Sequence, residues 1–480
     1  MDTHKTSPIQ HHKVLSVAIV CLALALSISL SACSSGSSGA GSTPTPTPAA
    51  KTIIQVNMGD SPADWMLAFS MNITSMSLTG SNGSVSVVSS TVPMEMMHLM
   101  GMMQPLSMIN APQGTYTGAS ITIGSVTVMY MDPTTKLPVQ KTISGPMTAS
   151  VTFSSPMTLG STPMAMGFDL DLANSVADAN GNLTVNPVFH FSSGMQGSGN
   201  PADFTNGGIQ QMMGSVSNVS GSSFAMSSMQ AAQNFTFMTN SSTVFSGTSM
   251  SGMAVGMLVI VDATLQSDGS LMATRVQSMM NSGGVMGGGI VTAVTGQPPT
   301  SLTMVMQNGQ GAGMMASAFA AGVTVNLSGG TTYQIDGDGV DMAGLSFTPT
   351  FDANHIYAGQ SAMPIGSGGM MSGGMGGMMG GSSMAGTITA SEVVLEPQGL
   401  SGTIGASVTS GATTSFTLTP ASDSAFCTLT GATKVTIFQQ PQTTVAGTSP
   451  IASGSSVHAF GLLFNDAGQW KMVASRIGTN

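Results

Sequence analysis

Apolar and polar residues alternate along almost the whole chain after Lys51. Successive side chains of a β-strand point to opposite faces, so a period of two is typical of strands that bury one face. The clearest segment carries Asp169 and Asp171 on one parity and its apolar residues on the other: Met164, Met166, Phe168, Leu170 and Leu172. Turns rich in Gly, Asn, Ser and Pro separate such segments. The pattern predicts an all-β protein built from sandwiches or small barrels.

The alternation changes parity inside two long predicted strands. Apolar residues lie on odd positions up to Ile73 and on even positions from Met76 onward, and a similar change falls at Gly124. One extra residue in a strand turns all later side chains to the opposite face. We therefore predict β-bulges near Thr74 and Ser75 and at Gly124.

Residues 1–32 have the pattern of an export signal. A polar start ends at Lys13, and residues 14–30 are apolar apart from serines and one cysteine. This run is short and weakly flanked for a membrane span. It ends in Leu-Ser-Ala-Cys at residues 30–33, which resembles the bacterial lipobox. The resemblance implies cleavage before Cys33 and lipidation of that residue.

Residues 33–50 are rich in Ser and Gly and then repeat Thr-Pro three times. Such a segment cannot bury a core and favours extended conformations, so we predict a tether. Several acyl chains, at about 0.8 kcal/mol per buried CH₂, hold a protein durably on a bilayer. We expect the membrane, reached through this lipid anchor, to be a partner of the protein. Ser34 after the cysteine favours the outer membrane of the cell envelope, on its periplasmic or surface face.

Three short motifs occur in order within residues 51–195. They are Gly-Asp-Ser-Pro at 59–62, Pro-Gln-Gly-Thr-Tyr at 112–116 and Phe-Asp-Leu-Asp at 168–171. Together they resemble the landmarks of a bacterial lipoprotein domain family of unknown function, although Ser61 and Gln113 depart from its usual residues. The prediction for residues 51–195 is an N-terminal β-sandwich, and the resemblance implies no chemistry.

The rest of the chain contains three internal repeats. They end in Ala-Thr-Arg-Val at 273–276, Ala-Ser-Glu-Val at 390–393 and Ala-Ser-Arg-Ile at 474–477, and each opens with a glycine-led strand. These features resemble a second bacterial family of unknown function, a short all-β module that often occurs in tandem. We predict three small tandem β-barrel modules, at residues 208–280, 287–396 and 397–480. A Gly-, Met- and Ser-rich insertion at 366–384 is expected to be a disordered loop.

Charge is scarce and negative. The 480 residues include 9 Lys and Arg and 19 Asp and Glu, for a formal net charge of −10. Binding to a phosphate backbone relies on clustered basic residues, so the sequence argues against nucleic acid as a partner. Cys427 is the one thiol left once residues 1–32 are removed and Cys33 is lipidated, so we expect no intramolecular disulfide.

Candidate catalytic groups are few. Asp169 and Asp171 stand two apart on a predicted strand, at a spacing of about 6.5 to 7 Å that suits a shared cation or a pair of acids. The alternative, which we favour, places both on the solvent face of an antiparallel strand. The chain carries no zinc-hydrolase, nucleophile-elbow or phosphate-loop motif. We therefore expect no enzyme activity and no cofactor.

Methionine is the unusual residue, with 44 in the chain. Met94, Met97 and Met100 surround His98 in one stretch, and thioethers with an imidazole are ligands that Cu(I) prefers. Methionine is also abundant in predicted strand cores elsewhere, where it replaces other apolar residues of similar volume. We favour core packing for this stretch, with a Cu(I) site at these four residues as the alternative.

Three functions are compatible with these features. The anchor and the tandem modules favour a non-catalytic envelope lipoprotein that acts in binding, adhesion or scaffolding, with a glycan or protein as ligand. The methionine-rich segments favour a soft-metal binding envelope protein. Asp169 and Asp171 are the only support for an envelope hydrolase.

Overall fold

The computed structural model describes residues 49–61, 63–99, 102–132, 134–179, 182–195, 207–280, 285–311, 320, 322–337, 339–369, 386–410, 412–446 and 451–479. The expected signal peptide, most of the tether, Cys33, Met100 and most of the insertion lie outside these described residues. Everything described belongs to one compact unit that starts at Ala49. No helix within it is long and apolar enough to cross a membrane.

The N-terminal domain consists of two packed sheets, a separate two-stranded sheet and one short α-helix, α1 (Leu172–Ser175). Its strands are β1 (Lys51–Ser61), β2 (Met66–Gly80), β3 (Gly83–Val88), β4 (Val92–Glu95), β5 (Met103–Pro112), β6 (Gly114–Met131), β7 (Pro138–Ile143), β8 (Met147–Leu159), β9 (Met164–Asp171), β10 (Val176–Ala179), β11 (Asn182–Val185) and β12 (Phe189–Met195). One sheet has the order β12-β9-β1-β5. The other packed sheet has the order β3-β2-β6-β7, with β4 on β2 and β8 on β6, and β10 and β11 form the two-stranded sheet. Their apolar faces share one core that includes Phe69, Phe153 and Phe168.

Both predicted bulges are present where β2 pairs with β6. The register shifts between Met71 and Ile73 and again between Ile73 and Ser75. On the partner strand, Gly124 and Ser125 together face a single residue of β2. The extra residues keep the apolar side chains on the core face along the whole length of both strands.

The remaining chain forms three modules, named here modules 1, 2 and 3. Module 1 contains β13 (Gly208–Ser220), β14 (Ser223–Ser227), β15 (Phe235–Met238), β16 (Val244–Ser246), β17 (Leu258–Leu265) and β18 (Leu271–Met280). Module 2 contains β19 (Val285–Met286), β20 (Gly289–Gly296), β21 (Pro299–Met306), β22 (Gln310–Gly311), β23 (Gly322–Asn326), β24 (Thr332–Ile335), β25 (Ser361–Gly369) and β26 (Gly386–Leu395). Module 3 contains β27 (Gln398–Ser410), β28 (Thr413–Thr419), α2 (Ala425–Thr430), β29 (Val435–Ala446), β30 (Ser456–Asp466) and β31 (Gln469–Thr479).

Five strands of each module pair in a closed ring. The rings run β13-β14-β15-β18-β17, β20-β21-β23-β26-β25 and β27-β28-β29-β31-β30. Closure leaves no ring strand with an unpaired edge, which suits a protein with few charged residues to protect its edges. The predicted fold class, an all-β protein with a sandwich followed by tandem barrel modules, is confirmed.

Two local features recur in all three modules. The opening glycines are Gly214, Gly289 and Gly402, and a Cβ on each would come within 2.6 Å of a carbonyl oxygen of the paired strand. A threonine hydroxyl also donates to the carbonyl of the alanine that starts each repeated ending, at 2.7 to 2.9 Å: Thr243 to Ala273, Thr331 to Ala390 and Thr443 to Ala474. The endings recognised in the sequence therefore occupy equivalent positions.

The outer faces of the module strands are buried against neighbouring modules. Leu462, Phe464 and Val473 of module 3 belong to the core of module 2. Modules 1 and 2 share a cluster made of Met213, Leu258, Ile260, Met286, Met363, Ile365 and Val394. A further cluster joins the sandwich to modules 2 and 3 through residues that include Leu67, Val305 and Ala425.

The disordered insertion expected at residues 366–384 cannot begin at residue 366, because residues 366–369 are part of a strand. Strand β25 continues to Gly369, and residues 366–369 pair with residues 387–390 of β26. Backbone hydrogen bonds need no side-chain volume, so a glycine-rich segment can extend a strand. The approach is also very close, because a Cβ on Gly366 would lie 2.0 Å from the carbonyl oxygen of Thr389.

Candidate functional site

A cavity of about 100 Å³ lies where the sandwich and the three modules meet, and we call it the junction cavity. The sandwich contributes His98 and Asp64, module 1 contributes Gln211, module 2 contributes Glu396 and module 3 contributes Ser401. Apolar side chains form much of the remaining wall: Met66, Leu67, Met97, Met102, Met213, Ile260, Ile290, Leu400, Phe426, Leu429 and Phe460. An apolar wall with a few convergent polar groups is typical of a ligand pocket.

Glu95 and His98 form a hydrogen-bonded pair at the end of β4. A 3₁₀ turn over Met97–Leu99 directs the N–H groups of Met97 and His98 back to the Glu95 carboxylate, at 3.2 and 3.0 Å. The N–H of Phe69 donates to the same carboxylate at 2.8 Å, and Nδ1 of His98 lies 3.3 Å from it. Burial raises the pKa of Glu95, and the hydrogen bonds from His98 oppose that rise.

The Glu95 carboxylate accepts three backbone N–H bonds and lies beside Nδ1 of His98, so it fixes the orientation of the imidazole ring. Nε2 is buried and has no hydrogen-bond partner among the described residues, and the side chain is only 6% exposed. A buried polar atom without a partner costs about 1 to 3 kcal/mol. The His98 side chain lines the junction cavity, but its Nε2 is enclosed by protein atoms.

Glu396 directly follows the last strand of module 2 and lies near Asp336. Burial raises the pKa of Glu396 to about 8, and the negative charge of Asp336 adds to the shift. Asp336 accepts a hydrogen bond from Nε2 of Gln211 in β13 at 3.1 Å. Near neutral pH most of the molecules thus hold Glu396 protonated, and the charge of the cavity changes with pH.

Asp64, Ser401 and His458 form a second polar chain at the wall. The hydroxyl and the N–H of Ser401 donate to Asp64, whose pKa is nevertheless raised, chiefly by burial. The Ser401 hydroxyl also lies 2.9 Å from Nδ1 of His458. Burial, together with the positive charge of Arg476, lowers the pKa of His458 to about 4, so this imidazole is neutral.

The structure separates the residues of the expected Cu(I) set. Met94 is buried in the sandwich core, and Met100 lies outside the described residues. Met97 and His98 do line one cavity, but the other methionines beside them are Met66, Met102 and Met213. The set named from the sequence is therefore not a single constellation. Methionines from distant parts of the chain take the remaining places around His98.

Asp169 and Asp171 do not form a simple solvent-facing pair. Asp169 accepts a hydrogen bond from the Ser61 hydroxyl, and burial raises its pKa. Asp171 caps α1 by accepting from the N–H of Asn174 at 3.0 Å, and it lies 3.1 Å from Nε2 of His190. Burial favours a higher pKa for Asp171, but its hydrogen bonds outweigh burial and lower the value. The two carboxylates thus have separate, local partners.

Asp60 adds a third carboxyl group near this pair. Its side chain is 3% exposed, and neither oxygen has a hydrogen-bond partner among the described residues. Burial, followed by the charges of Asp169 and Glu95, raises the pKa of Asp60 well above its usual value. Across the chain that the structure describes, no three His, Cys, Asp or Glu side chains come together as a metal site.

The sequence patterns do not point to Glu95, Asp64, Glu396 or Ser401. Glu95 had a usable signal, because it is the one charged residue between Asp64 and Asp132 and stands three positions before His98. The others carry no local motif. They meet only because strands far apart in the chain converge on one junction.

We predict that Glu396→Gln reduces the pH dependence of folding stability. The pKa of Glu396 is about 8 in the folded protein, whereas its ordinary value is 4.5. Between these two pH values the folded state keeps a proton that the unfolded state releases. Stability from this group is therefore present at low pH and lost as pH rises from about 5 to about 8. Over that pH range the free energy of unfolding should fall less in Glu396→Gln than in the wild type, by up to about 4 kcal/mol.

Urea unfolding at a series of pH values measures this difference. Asp423→Asn, which changes an exposed carboxylate, is the matched control and should follow the wild-type curve. Parallel curves for the wild type and Glu396→Gln would contradict the assigned ionisation of Glu396.

Comparison with known proteins identifies a family for part of the chain. The family described as Domain of unknown function (DUF5666) matches residues 213–277, which run from β13 to β18 of module 1. No curated protein matches the chain. The family match agrees with the position of module 1 and assigns no activity to it.

Proposed function

We propose that this protein is a lipid-anchored protein of the cell envelope that binds a small ligand in the junction cavity and catalyses no reaction. The observation that carries the proposal is a cavity walled by all four domains, in which a largely apolar lining surrounds a few polar side chains. A pocket at a domain interface is a common location for ligand sites. Adhesion or scaffolding through the outer surfaces of the modules, with a glycan or protein ligand, is compatible with this role.

The polar chain beside the cavity supports binding in preference to hydrolysis. A nucleophilic serine needs a histidine that takes its proton, with an acid on the far side of the histidine. Here the acid, Asp64, lies beside Ser401 and not on the far side of His458. The lowered pKa of His458 also makes it a weak base. This order of groups orients Ser401 and does not activate it.

The anchor part of the proposal rests on the sequence at residues 30–50. The lipobox resemblance at Cys33 and the Thr-Pro tether occur together, and the folded unit starts directly after them at Ala49. A tethered binding protein would hold its ligand close to the membrane without crossing it.

We predict that Cys33→Ser moves the protein from the membrane fraction to the soluble fraction, because the serine cannot carry a thioether-linked lipid. Cell fractionation with immunoblotting measures the distribution, and mass spectrometry of the N-terminal peptide detects the acyl chains. Cys427→Ser, which changes the half-buried thiol of α2, should remain with membranes. Pelleting of Cys33→Ser with lipid would show that the anchor is assigned wrongly.

We also predict that a residue large enough to fill the junction cavity abolishes binding of small molecules. Leu429 of α2 lines the cavity, so Leu429→Trp is the filling variant, and Leu137→Trp at an exposed turn is its control. Saturation-transfer NMR with n-butanol, n-butylamine and butyrate measures binding to the full chain in detergent. At least one probe should bind the wild type and the control and lose its signal in Leu429→Trp.

The ligand-binding part of the proposal is contradicted if none of these probes binds, or if Leu429→Trp leaves the binding of each probe unchanged. The unfolding transition of Leu429→Trp must remain cooperative, because the comparison requires a folded variant. The anchor part is independent of this result.

Cu(I) binding is a second candidate function, favoured by one specific observation. Nδ1 of His98 lies 3.3 Å from the Glu95 carboxylate, an arrangement that also orients metal-binding histidines, and His98 lines the cavity. Met97 and Met102 line the same cavity and would supply soft sulfur ligands.

For this candidate we predict sub-micromolar Cu(I) affinity that disappears in the double variant Met97→Leu, Met102→Leu. Competition with a chromophoric Cu(I) chelator under reducing conditions measures it. Met94→Leu is the matched control, because Met94 is equally buried but lies in the sandwich core. Equal affinity in all three proteins, or none in the wild type, would rule out this cavity as a copper site.

A further inference from the structure

One end of the sandwich holds the point where the chain enters the folded unit. The carbonyl of Ala50 accepts from the N–H of Gln113 at 2.6 Å. The Thr52 hydroxyl donates to the carbonyl of Gly160 at 2.6 Å. Nδ2 of Asn82 donates to the carbonyl of Gln113 at 2.7 Å. Three turns are thus hydrogen-bonded around this entry point, and we call the surface that they form the tether-side end.

The acids of the sandwich lie toward the opposite end, which we call the far end. Strand β1 runs from Lys51 at the tether-side end to Ser61 at the far end, so the two ends are about 33 Å apart at about 3.3 Å per residue. Every acid among the described residues of the sandwich lies in the half that contains the far end: Asp60, Asp64, Glu95, Asp132, Asp169, Asp171 and Asp178.

Strand register places these acids. Asp169 and Asp171 of β9 stand opposite Gly59 and Ser61 at the end of β1. Asp64 lies in the turn between β1 and β2, and Asp178 lies in the hairpin that follows β9 and α1. Glu95 pairs with a residue in the first third of β2, and Asp132 directly follows the end of β6, which pairs with the start of β2.

The basic residues do not cancel this asymmetry. Lys136 and Lys141 lie near the far end and Lys51, which is exposed, stands at the tether-side end. Module 1 places one acid near the tether-side end, Asp268, whose neighbour Gly269 contacts Ile53. The tether-side end is therefore close to neutral.

The far end stays negative near neutral pH although burial raises the pKa of several of its acids. The N–H groups of Thr135 and Thr134 lower the pKa of Asp132, which is therefore ionised. Asp423 of module 3 is exposed and adds its charge beside Asp64. The ionised acids thus outnumber the two lysines at this end.

An anionic lipid surface distinguishes the two ends. It attracts a nearby Lys by about 1 kcal/mol and repels acids, and this effect fades within a Debye length of about 8 Å. Because the ends are about 33 Å apart, only the end next to the bilayer is affected by the surface charge. Contact through the tether-side end costs no repulsion by the acids of the sandwich.

The tether favours the same orientation. Residues 33–48 connect the expected lipid at Cys33 to Ala49, where the folded unit starts. For the far end to reach the bilayer, this segment would have to span the length of the sandwich, about 33 Å. A chain held at such a span loses conformational freedom that it keeps when its two ends are close.

We propose that the tether-side end of the sandwich is a docking surface for an anionic lipid bilayer and that the far end points away from it. Asp64 and Met66 of the far end line the junction cavity, so the cavity then opens toward dissolved ligands and not toward lipid. This inference rests on the lipid anchor of the proposed function and adds a defined orientation.

The test measures the distance of each end from the lipid head groups. Ser161→Cys at the tether-side end and Leu137→Cys at the far end are exposed positions, and each is made in a Cys427→Ser background and labelled with a fluorophore. The lipidated chain is incorporated into phosphatidylcholine and phosphatidylglycerol vesicles whose head groups carry a nitroxide quencher. Quenching at Ser161→Cys should exceed that at Leu137→Cys by about threefold or more, because the two ends are about 33 Å apart.

Added acids test the contribution of charge. Asn82→Asp with Thr162→Asp places two acids at the tether-side end, and Thr134→Asp with Thr135→Asp is the matched control at the exposed turn of the far end. The first pair should reduce quenching at Ser161→Cys by about twofold or more in anionic vesicles and leave it unchanged in phosphatidylcholine alone. The control pair should not reduce it in either kind of vesicle.

The outcomes separate this inference from the anchor. Equal quenching at the two positions, or stronger quenching at Leu137→Cys, in protein that stays bound to the vesicles would overturn the inference and leave the anchor intact. Quenching that does not respond to the acids added at the tether-side end would also overturn it, because an anionic surface would then not be the partner of that end. A chain that does not bind vesicles at all contradicts both the anchor and this inference.

Discussion

The architecture depends on the burial of strand faces that a five-stranded ring cannot cover by itself. One face of each strand fills the interior of its own module, and several strands carry apolar residues on the outer face as well. Leu463 lies in the core of module 3, while its neighbours Leu462 and Phe464 lie in the core of module 2. At about 25 cal/mol per Å² of apolar surface removed from water, such contacts bind the modules to one another strongly. The described chain is therefore one unit, and its domains meet at a common junction.

That junction explains the unusual electrostatics of the protein. Curved barrels and a sandwich leave a gap where they converge, and the groups around the gap are cut off from bulk water. Burial disfavours the charged form of a carboxyl group, which is why the pKa values of Asp64, Glu95 and Glu396 are all raised. With only nine basic residues in the chain, few cations are available to compensate these acids. The carboxyl groups at the cavity are thus desolvated and have few basic residues to compensate them.

The three modules share a topology but not a site. The repeated endings place Arg275, Glu392 and Arg476 at equivalent positions. Arg275 pairs with Asp262 at 3.0 Å, whereas burial raises the pKa of Glu392. The features common to all modules, the opening glycine and the threonine that binds an alanine carbonyl, concern backbone geometry. The candidate chemistry lies in residues that the repeats do not share, and the repeated modules act as a frame around it.

The sequence by itself determined the strands, their bulges and the repeated modules. Alternation at period two is a local property, and so is the parity change at Ile73 and Gly124. The endings of the repeats were also recognisable, because the same backbone contacts recur in each module. Strands that bury both faces have a weaker signal in the sequence. Their apolar residues follow one another without interruption, as at 258–261 and 462–464, and do not alternate with polar residues.

Only the tertiary structure decided which polar groups meet. Asp64 and His98 lie 34 positions apart, His98 and Glu396 lie 298 positions apart, and no motif connects these residues or Ser401. The methionines near His98 in sequence also separated, with Met94 in the sandwich core and Met213 brought to the cavity from module 1. Local spacing predicts the face of a strand, but it carries no information about the outer faces of other modules. Those faces pack by shape and apolar area, and the cavity with its acids and its histidine is the result of that packing.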